Sequence, residues 1–430
     1  MLAVTATVLI ALIALAIPIG AALGLLAIGL GLVYSPVPLD RALGEIFWRS
    51  SNDFLIVAVP MFVLLGELVL RAGIAKRMYD ALGHWLSWLP GGLMHTNVGS
   101  CAMFAATSGS SVATAATLGT VAMPECERHG YNRRLFLGTL ASGGTLGILI
   151  PPSINLIVYG LLTNTSVPKL YLAGFVPGIL LALLFMGTVL VACLIKPEFG
   201  GEAVRSSWQA RLHSLVDLLP PLLLFLLVIG SIYAGIATPT EAAALGVVGA
   251  LLLSVWTGTL SIGMLKDALL STMRTTGVIM LIILAAVYLN FVLAAIGLTR
   301  ELTQFIESLG LTPLQMIMAI VVFYIILGCF LETFSMMLTT VPLIAPIIVA
   351  LGYDPIWFGI LLMVLLEMAL ITPPIGINLY VIQGVRNDIQ FNDVAIGSFP
   401  FVIAMALTVV LLIAFPQVAL WLPELVSGVR

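Results

Sequence analysis

The stretch GGTLGILIPPSIN, residues 143–155, carries two consecutive prolines inside an apolar segment and returns in related form as ITPPIGIN, residues 371–378. Proline lacks a backbone N–H and its ring clashes with the preceding turn, so two consecutive prolines in this segment predict a break in its helix. An asparagine ends each stretch. The sequence therefore predicts two broken helices, over 135–162 and 356–382, with freed carbonyl groups and an amide side chain at each break.

The composition predicts that these helices lie in a membrane. Hydrophobic residues make up 61% of the 430 positions, charged residues only 9%, and the mean hydropathy is +1.18. A soluble domain has about 25% charged residues, so a soluble fold is excluded. The net charge of −3 gives no indication of nucleic-acid binding, and the four cysteines lack the spacing of a metal site. Residues 1–33 are apolar without a cleavage motif, which predicts a retained membrane helix.

Other residues also recur along the chain, and they are separated by the same number of positions as Pro151-Pro152 and Pro373-Pro374. Pro124 falls on Pro346, and Gly130-Tyr131 falls on Gly352-Tyr353. Matches at one fixed period predict an internal duplication. We expect a first repeat over 1–200, a cytoplasmic loop and linking transmembrane helix over 201–238, and a second repeat over 239–430.

Apolar windows long enough to cross a bilayer predict an all-α polytopic membrane protein. The expected crossings are 5–33, 52–71, 135–162, 171–194, 215–235, 240–258, 275–297, 356–382 and 398–422. Two other apolar stretches, 93–124 and 315–346, have a polar cluster in the middle. Each of their arms is then too short to span, so both are expected to be re-entrant helical hairpins with tips inside the membrane.

The basic residues indicate the orientation, because cytoplasmic loops of membrane proteins are enriched in lysine and arginine. With a cytoplasmic N-terminus and a periplasmic C-terminus, twelve of the 17 basic residues are cytoplasmic: Arg71, Lys76, Arg77, Arg128, Arg133, Arg134, Lys196, Arg205, Arg211, Lys266, Arg274 and Arg386. The other five are Arg41, Arg49, Lys169, Arg300 and Arg430. In this orientation the second repeat is inverted, and inverted repeats with broken helices are typical of secondary transporters.

The polar residues of the hairpin tips are the first candidates for binding ions. The first tip reads ATSGSSVAT, residues 106–114, and its hydroxyl and carbonyl oxygens suit a hard cation such as sodium. Small hydroxylated residues also allow close helix packing without binding anything.

The second tip contains Glu332, and an acid at membrane depth is a candidate functional residue. Glu332 could bind a cation or proton, or it could fix the hairpin by accepting hydrogen bonds from backbone amides.

Four stretches carry a resemblance to a known family: Thr107–Thr117, Gly143–Tyr159, Pro239–Gly246 and Asp354–Gly384. Over nearly its whole length the chain resembles the large membrane (permease) subunit of tripartite ATP-independent periplasmic (TRAP) transporters, and is DctM-like. Glu332 stands where many relatives carry aspartate.

The resemblance implies a bacterial inner-membrane protein with an elevator mechanism. Two hairpins and two broken helices would form a mobile transport domain, which slides against a scaffold built together with a small membrane subunit, here a separate chain. A periplasmic binding protein would deliver a small organic anion such as a C4-dicarboxylate, a sialic acid or another carboxylate. Sodium ions would drive uptake.

The resemblance also implies two sodium sites and a substrate site. Sodium site 1 would consist of Ser108, Ser110, Ser111, Gly147, Ile150 and Pro151. Sodium site 2 would consist of Glu332, Thr333, Met336, Ile371, Thr372 and Pro373. Substrate recognition is expected from hydroxyl and amide groups beside these sites, namely Thr107, Ser153, Asn155, Ser335 and Asn378.

Three rival functions are compatible with an apolar chain of this length. A divalent-anion/sodium symporter that needs no binding protein would share the repeated hairpins, and the four stretches above favour the tripartite family over it. An intramembrane protease would need a histidine beside a buried serine or a pair of aspartates, and the predicted spans contain neither. A channel does not require paired broken helices of opposite orientation. The sequence therefore predicts a transporter and not an enzyme.

Overall fold

The computed structural model describes residues 1–15, 17–202, 206–298, 300–301, 304 and 310–427, which form α-helices and short 3-10 turns and contain no strand. Arg205 and Arg430 of the charge count lie outside these ranges. The helices of the first half are α1 Leu2–Ala14, α2 Ile19–Tyr34, α3 Leu43–Ser51, α4 Ala58–Arg71, α5 Ile74–Leu86, α6 Gly92–Ser108, α7 Ser111–Arg128, α8 Arg133–Thr145, α9 Ile154–Thr163 and α10 Val167–Ile195. Those of the second half are α11 Trp208–Tyr233, α12 Pro239–Trp256, α13 Ile262–Ala295, α14 Pro313–Gly328, α15 Thr333–Ala350, α16 Pro355–Ile371, α17 Ile377–Gly384, α18 Phe391–Ala414 and α19 Gln417–Ser427.

The predicted all-α polytopic class is confirmed. Seven helical segments of the described residues are long and apolar enough to cross a membrane. They are Phe54–Arg71, α10, α11, α12, α13, α15 and α18. Leucines on α11 such as Leu222, Leu223 and Leu226 are exposed, as expected of a surface that faces lipid acyl chains.

Two predicted crossings are each divided into two helices. Residues 5–33 form α1 and α2, and Pro18 directly precedes α2. Residues 398–422 fall on α18 and α19, which are separated at Phe415 and Pro416. In both cases the prediction of one continuous helix is wrong, because a proline interrupts the backbone hydrogen bonds of the helix.

Several helix boundaries recur at the same offset as the proline pairs. Helix α7 covers 111–128 and α15 covers 333–350, so the two helices have equal length and both ends are shifted by the offset that relates the proline pairs. Helices α8 and α16 begin at Arg133 and Pro355, which are related by the same shift. Residues 92–163 and 313–384 therefore contain the same order of elements, a helical hairpin followed by a broken helix.

Both hairpins form, with sharp turns between their arms. Gly109 adopts a left-handed conformation (φ 61°) between α6 and α7, and residues 329–332 connect α14 to α15. The four arms contain 17, 18, 16 and 18 residues. Helix α15 is long and apolar enough to cross a membrane. The expectation that every arm is too short to span is therefore wrong for the length of α15.

The two broken helices lie side by side in opposite directions. At one end, Arg133 at the start of α8 donates a hydrogen bond to Asp388 beyond the end of α17 (2.7 Å). At the other end, Tyr159 of α9 donates to the carbonyl of Pro355 at the start of α16 (2.6 Å). The α8–α9 and α16–α17 pairs are therefore antiparallel, and the two breaks lie between these contacts.

Candidate functional site

A cavity of about 210 Å³ is lined by residues of both hairpin tips. Its walls also include residues beside both helix breaks and residues of α4 and α13. The lining residues are Val63, Gly66, Glu67, Leu70, Ser108, Gly109, Ser110, Ser111, Val112, Ala113, Ile148, Ile154, Asn155, Thr275, Ile279, Glu332, Thr333, Phe334, Leu370 and Ile377. Six predicted site residues are among them: Ser108, Ser110, Ser111, Asn155, Glu332 and Thr333.

The first hairpin tip is stabilised by its own hydroxyl groups. Ser110 is the N-cap of α7, and its Oγ accepts a hydrogen bond from the backbone N–H of Ala113 (3.4 Å). The Thr114 hydroxyl donates to the Ser110 carbonyl (2.7 Å) and lies 3.2 Å from the hydroxyl of Ser108. Serine is a favoured N-cap because its oxygen satisfies a free amide of the first turn.

The first break lies directly against this tip. A Cβ atom at Gly147 would lie 2.9 Å from the carbonyl carbon of Ser110 and 3.0 Å from the amide nitrogen of Ser111, so only glycine fits without displacement. Likewise, a Cβ atom at Gly109 would lie 2.7 Å from the carbonyl oxygen of Pro152. The Ser111 hydroxyl donates to the carbonyl of Thr145 (3.2 Å). Tip and break are therefore in backbone contact.

The remaining residues predicted for sodium site 1 lie behind the cavity. Ile150 and Pro151 are buried and do not line it. Glycines of α10 allow the approach, since a Cβ atom at Gly178 would lie 2.9 Å from Ile150 and one at Gly174 would lie 2.6 Å from the Leu149 carbonyl oxygen. Packing against α10 thus holds the first break in place.

The second tip is capped by its acid. Glu332 is the N-cap of α15, and its Oε2 accepts hydrogen bonds from the Ser335 N–H (3.0 Å) and the Ser335 hydroxyl (3.2 Å). Its Oε1 accepts a hydrogen bond from the hydroxyl of Thr333 (3.0 Å). The hydrogen bonds expected of a residue that fixes the hairpin are therefore present, while the same carboxylate lines the cavity.

The second break is less enclosed than the first. Ile371 and Met336 are fully buried, Thr372 is half-buried and donates to the Met368 carbonyl (2.6 Å), and Pro373 is exposed. None of these four lines the cavity. The second hairpin instead meets α16 one turn earlier, since a Cβ atom at Gly328 would lie 2.7 Å from that of Ala369.

Only one of the predicted substrate contacts lines the cavity. Asn155 is 4% exposed, and its Nδ2 has no hydrogen-bond partner among the described residues. The other four predicted residues are engaged elsewhere. Thr107 donates to the Phe104 carbonyl, Ser153 caps α9, Ser335 binds Glu332, and Asn378 donates to the Ala141 carbonyl (3.1 Å).

Sequence reasoning missed the wall formed by α4 and α13. Glu67 of α4 lines the cavity, its Oε1 accepts a hydrogen bond from the Ser271 hydroxyl of α13 (2.7 Å), and its Oε2 pairs with Arg71. Thr275 lies one turn after Ser271 on α13. The available signal was an acid inside the predicted crossing 52–71, since an ionisable residue at membrane depth is a candidate functional residue.

The cavity combines oxygen acceptors with one free amide donor. Glu67 is balanced by Arg71, and Glu332 lies at the N-terminus of a helix, where the backbone dipoles favour a negative charge. The Asn155 amide and the N-terminal turn of α7 offer N–H groups to an anion. The arrangement suits a small polar solute.

Comparison with known proteins agrees over nearly the full chain. The family described as "Tripartite ATP-independent periplasmic transporter, DctM component" matches residues 6–418. The C4-dicarboxylate TRAP transporter large permease protein DctM of Vibrio cholerae is 32% identical and covers 96% of this chain and 95% of its own length. The sialic acid TRAP transporter large permease protein SiaM of the same organism is 31% identical and covers 96% of both chains.

A solved structure supports the fold. MtrF of Neisseria gonorrhoeae, described within a class of antimetabolite efflux pumps, has a TM-score of 0.58 at 13% identity and covers 89% of this chain and 83% of its own. At this identity the similarity concerns the fold alone. The length of the family match and the identity to the large permeases establish that this chain belongs to the DctM family of tripartite ATP-independent periplasmic transporter components, a family of transporter permeases and not of enzymes.

Proposed function

We propose that this chain carries a small organic anion into the cell by sodium-coupled secondary transport, after a periplasmic binding protein has delivered it. The observation that carries the proposal is the cavity lined by both hairpin tips and by residues beside both breaks. Half-helix termini and freed carbonyl groups around one cavity supply partial charges of both signs, which suits an anion and its coupling cations.

Sodium site 1 is proposed at the first tip and break, with Ser108, Ser110 and Ser111 on one side and Gly147, Ile150 and Pro151 on the other. Its support is the backbone contact between Gly147 and the pair Ser110–Ser111. Serine hydroxyls and backbone carbonyls are oxygen ligands of the kind that hard cations take.

Sodium site 2 is proposed at the second tip and break, from Glu332, Thr333, Met336, Ile371, Thr372 and Pro373. Its geometry differs from that of site 1, because Pro373 is exposed and Glu332 already accepts three hydrogen bonds. An ionised carboxylate has about four acceptor positions, so a cation could still bind on the side that lines the cavity. Fixing the hairpin remains the alternative role of Glu332.

The proposed cargo is a small carboxylate. Relatives are named for C4-dicarboxylate and sialic acid. The cavity of about 210 Å³ is of the size that holds a small polar solute. Besides Asn155, which lines the cavity, Thr107, Ser153, Ser335 and Asn378 stay predicted contacts that would need a rearrangement of the tips to reach the substrate.

The proposed mechanism is an elevator movement of inverted repeats. Its support is the antiparallel arrangement of the two broken helices and the recurrence of the helix boundaries 111 and 128 at 333 and 350. The hairpins and broken helices would move together past α4 and α13. The excess of basic residues supports a cytoplasmic N-terminus and a periplasmic C-terminus in the bacterial inner membrane.

The proposed partners are a small membrane subunit, present as a separate chain, and a periplasmic substrate-binding protein. The support is the tripartite organisation in the family description and the designation of the relatives as large permeases. Lipid surrounds the assembly.

Uptake into proteoliposomes tests the proposal. The chain is reconstituted with its small subunit, the binding protein is added outside, and the labelled anion is the one that stabilises the binding protein in a thermal-shift screen. We expect uptake only with an inward sodium gradient and both partners present. Uptake by this chain alone would instead identify a binding-protein-independent divalent-anion/sodium symporter.

Variants in the same assay test the two sodium sites. Replacing Ser110 by alanine should raise the sodium concentration for half-maximal uptake, and unchanged sodium dependence would argue against site 1.

Replacing Glu332 by glutamine keeps an acceptor for the Ser335 amide but removes the charge. We expect it to alter sodium or pH dependence, and unaltered behaviour would leave only the hairpin-fixing role.

A further inference from the structure

One charged residue of the cavity has no place in the two proposed sodium sites. Glu67 belongs to α4, outside both hairpins and both breaks, and its side chain is 18% exposed. A carboxylate at membrane depth is costly, so its retention there suggests a role in binding. Arg71 one turn later offsets the charge without lining the cavity.

The carboxylate of Glu67 is oriented and still has acceptor positions free. The Ser271 hydroxyl donates to Oε1 and the Arg71 guanidinium pairs with Oε2. An ionised carboxylate has about four acceptor positions. These two partners leave about two positions for donors in the cavity.

The side-chain N–H donor without a partner lies on α9, not on α4 with Glu67. Asn155 of α9 is buried, and its Nδ2 has no partner among the described residues. An unpaired buried N–H is costly until a ligand accepts from it. A substrate carboxylate can accept this hydrogen bond, and a hydroxyl or ammonium group on the same substrate can donate to Glu67.

We propose that Glu67 is a specificity-determining residue that selects carboxylates bearing a hydroxyl or ammonium group over the corresponding unsubstituted acids. The proposal rests on the proposed function, since it assigns a substrate class to the same cavity. No lysine, arginine or histidine is among the described residues that line the cavity. Arg71 is engaged with Glu67 and does not line the cavity, so a second carboxylate placed at Glu67 would find no cation to bind, whereas an O–H or N–H donor would be bound.

Matched acids test the proposal on the purified full-length chain in lipid nanodiscs. Thermal stabilisation is measured in sodium-containing buffer with two series of equal carbon skeleton, propionate against lactate and alanine, and succinate against malate and aspartate. A hydrogen bond to a charged acceptor should lower the half-maximal concentration of the substituted acids about tenfold.

Replacing Glu67 by glutamine should reduce this preference to about twofold or less, because the charge that strengthens the hydrogen bond is lost. Replacing Ser271 by alanine frees the carboxylate to rotate and should weaken the preference partly, which keeps the test valid if the glutamine variant folds poorly. The control is Glu45→Gln, which removes an exposed acid of α3 that does not line the cavity.

The outcomes separate this inference from the proposed function. Sodium-dependent stabilisation without any preference for the substituted acids, or a preference that persists in Glu67→Gln, would overturn the specificity role alone. No stabilisation by any carboxylate in the presence of sodium would count against both.

Discussion

The two broken helices share a proline pair but differ in their surroundings. Residues 146–153 of the first break are all buried, whereas Pro373, Pro374 and Ile375 of the second are exposed. The first break is also longer, since helix is absent over 146–153 but only over 372–376 in the second. The duplicated motif therefore produces one enclosed break beside the cavity and one break that opens to the surface.

The difference in length follows from residues before the prolines. The first repeat has Gly143, Gly144 and Gly147 where the second has Leu365, Leu366 and Ala369. Glycine disfavours a helix by about 1 kcal/mol relative to alanine, and leucine is a good helix former. Helix α16 therefore continues to Ile371, while α8 ends at Thr145.

The two asparagines that follow the breaks also differ in their surroundings. Each is the second residue of the helix that follows its break. Asn155 lines the cavity with a free Nδ2, whereas Asn378 is fully buried and donates to the Ala141 carbonyl of α8. Equivalent positions thus differ in their surroundings: Asn155 borders the cavity, and Asn378 connects α17 to α8.

The largest expected effect comes from adding volume at the enclosed break. Gly147→Val should abolish uptake and destabilise the protein by roughly 1–3 kcal/mol, because the new side chain meets the Ser110–Ser111 backbone. Uptake into proteoliposomes and thermal unfolding of the purified protein measure the two effects. The matched control, Ala369→Gly at the equivalent position of the second repeat, removes a methyl group and should keep uptake. Equal effects of both variants would contradict the distinction between the breaks.

An intermediate effect is expected from the asparagines, and its kind should differ between them. Asn155→Ala should raise the substrate or sodium concentration for half-maximal uptake about tenfold, with little change in stability, because its Nδ2 has no partner to lose. Asn378→Ala should cost about 1 kcal/mol in stability through the lost hydrogen bond to Ala141, with unchanged concentration dependence. Titrated uptake and thermal unfolding of both variants check this. The reverse pattern would show that the second break, and not the first, faces the substrate.

The smallest effect is expected from the ion pair between Arg133 and Asp388, which joins the outer ends of the two broken helices. The hydrogen bond from Arg133 holds the pKa of Asp388 below its ordinary value of 3.8. A lowered folded-state pKa means that this stabilisation is complete above about pH 4 and is lost as pH falls through the folded-state value. Asp388→Asn should therefore lower the melting temperature slightly at pH 7, and less at high salt because the pair is exposed. The difference from the unmodified protein should shrink as the pH is lowered below about 4, and a difference that does not change with pH would assign it to packing.

The amino-acid sequence by itself determined the membrane class, the duplication, the hairpins, both helix breaks and the membership of the family. These follow from apolar length, from polar residues at the hairpin tips and from motifs that recur at one fixed period. A proline pair alone does not break a helix, because Pro220-Pro221 lie within the continuous helix α11. Two of the predicted crossings are instead divided into two helices, beside Pro18 and at Pro416.

Only the tertiary structure decided which polar residues share a cavity. Ser110, Asn155 and Glu332 meet because antiparallel broken helices bring separate repeats together. The same packing engages Asn378 with α8 and adds Glu67 from α4, which no motif joins to the hairpins. Position along the chain cannot distinguish equivalent residues of a repeat, since their neighbours come from elements far away in sequence.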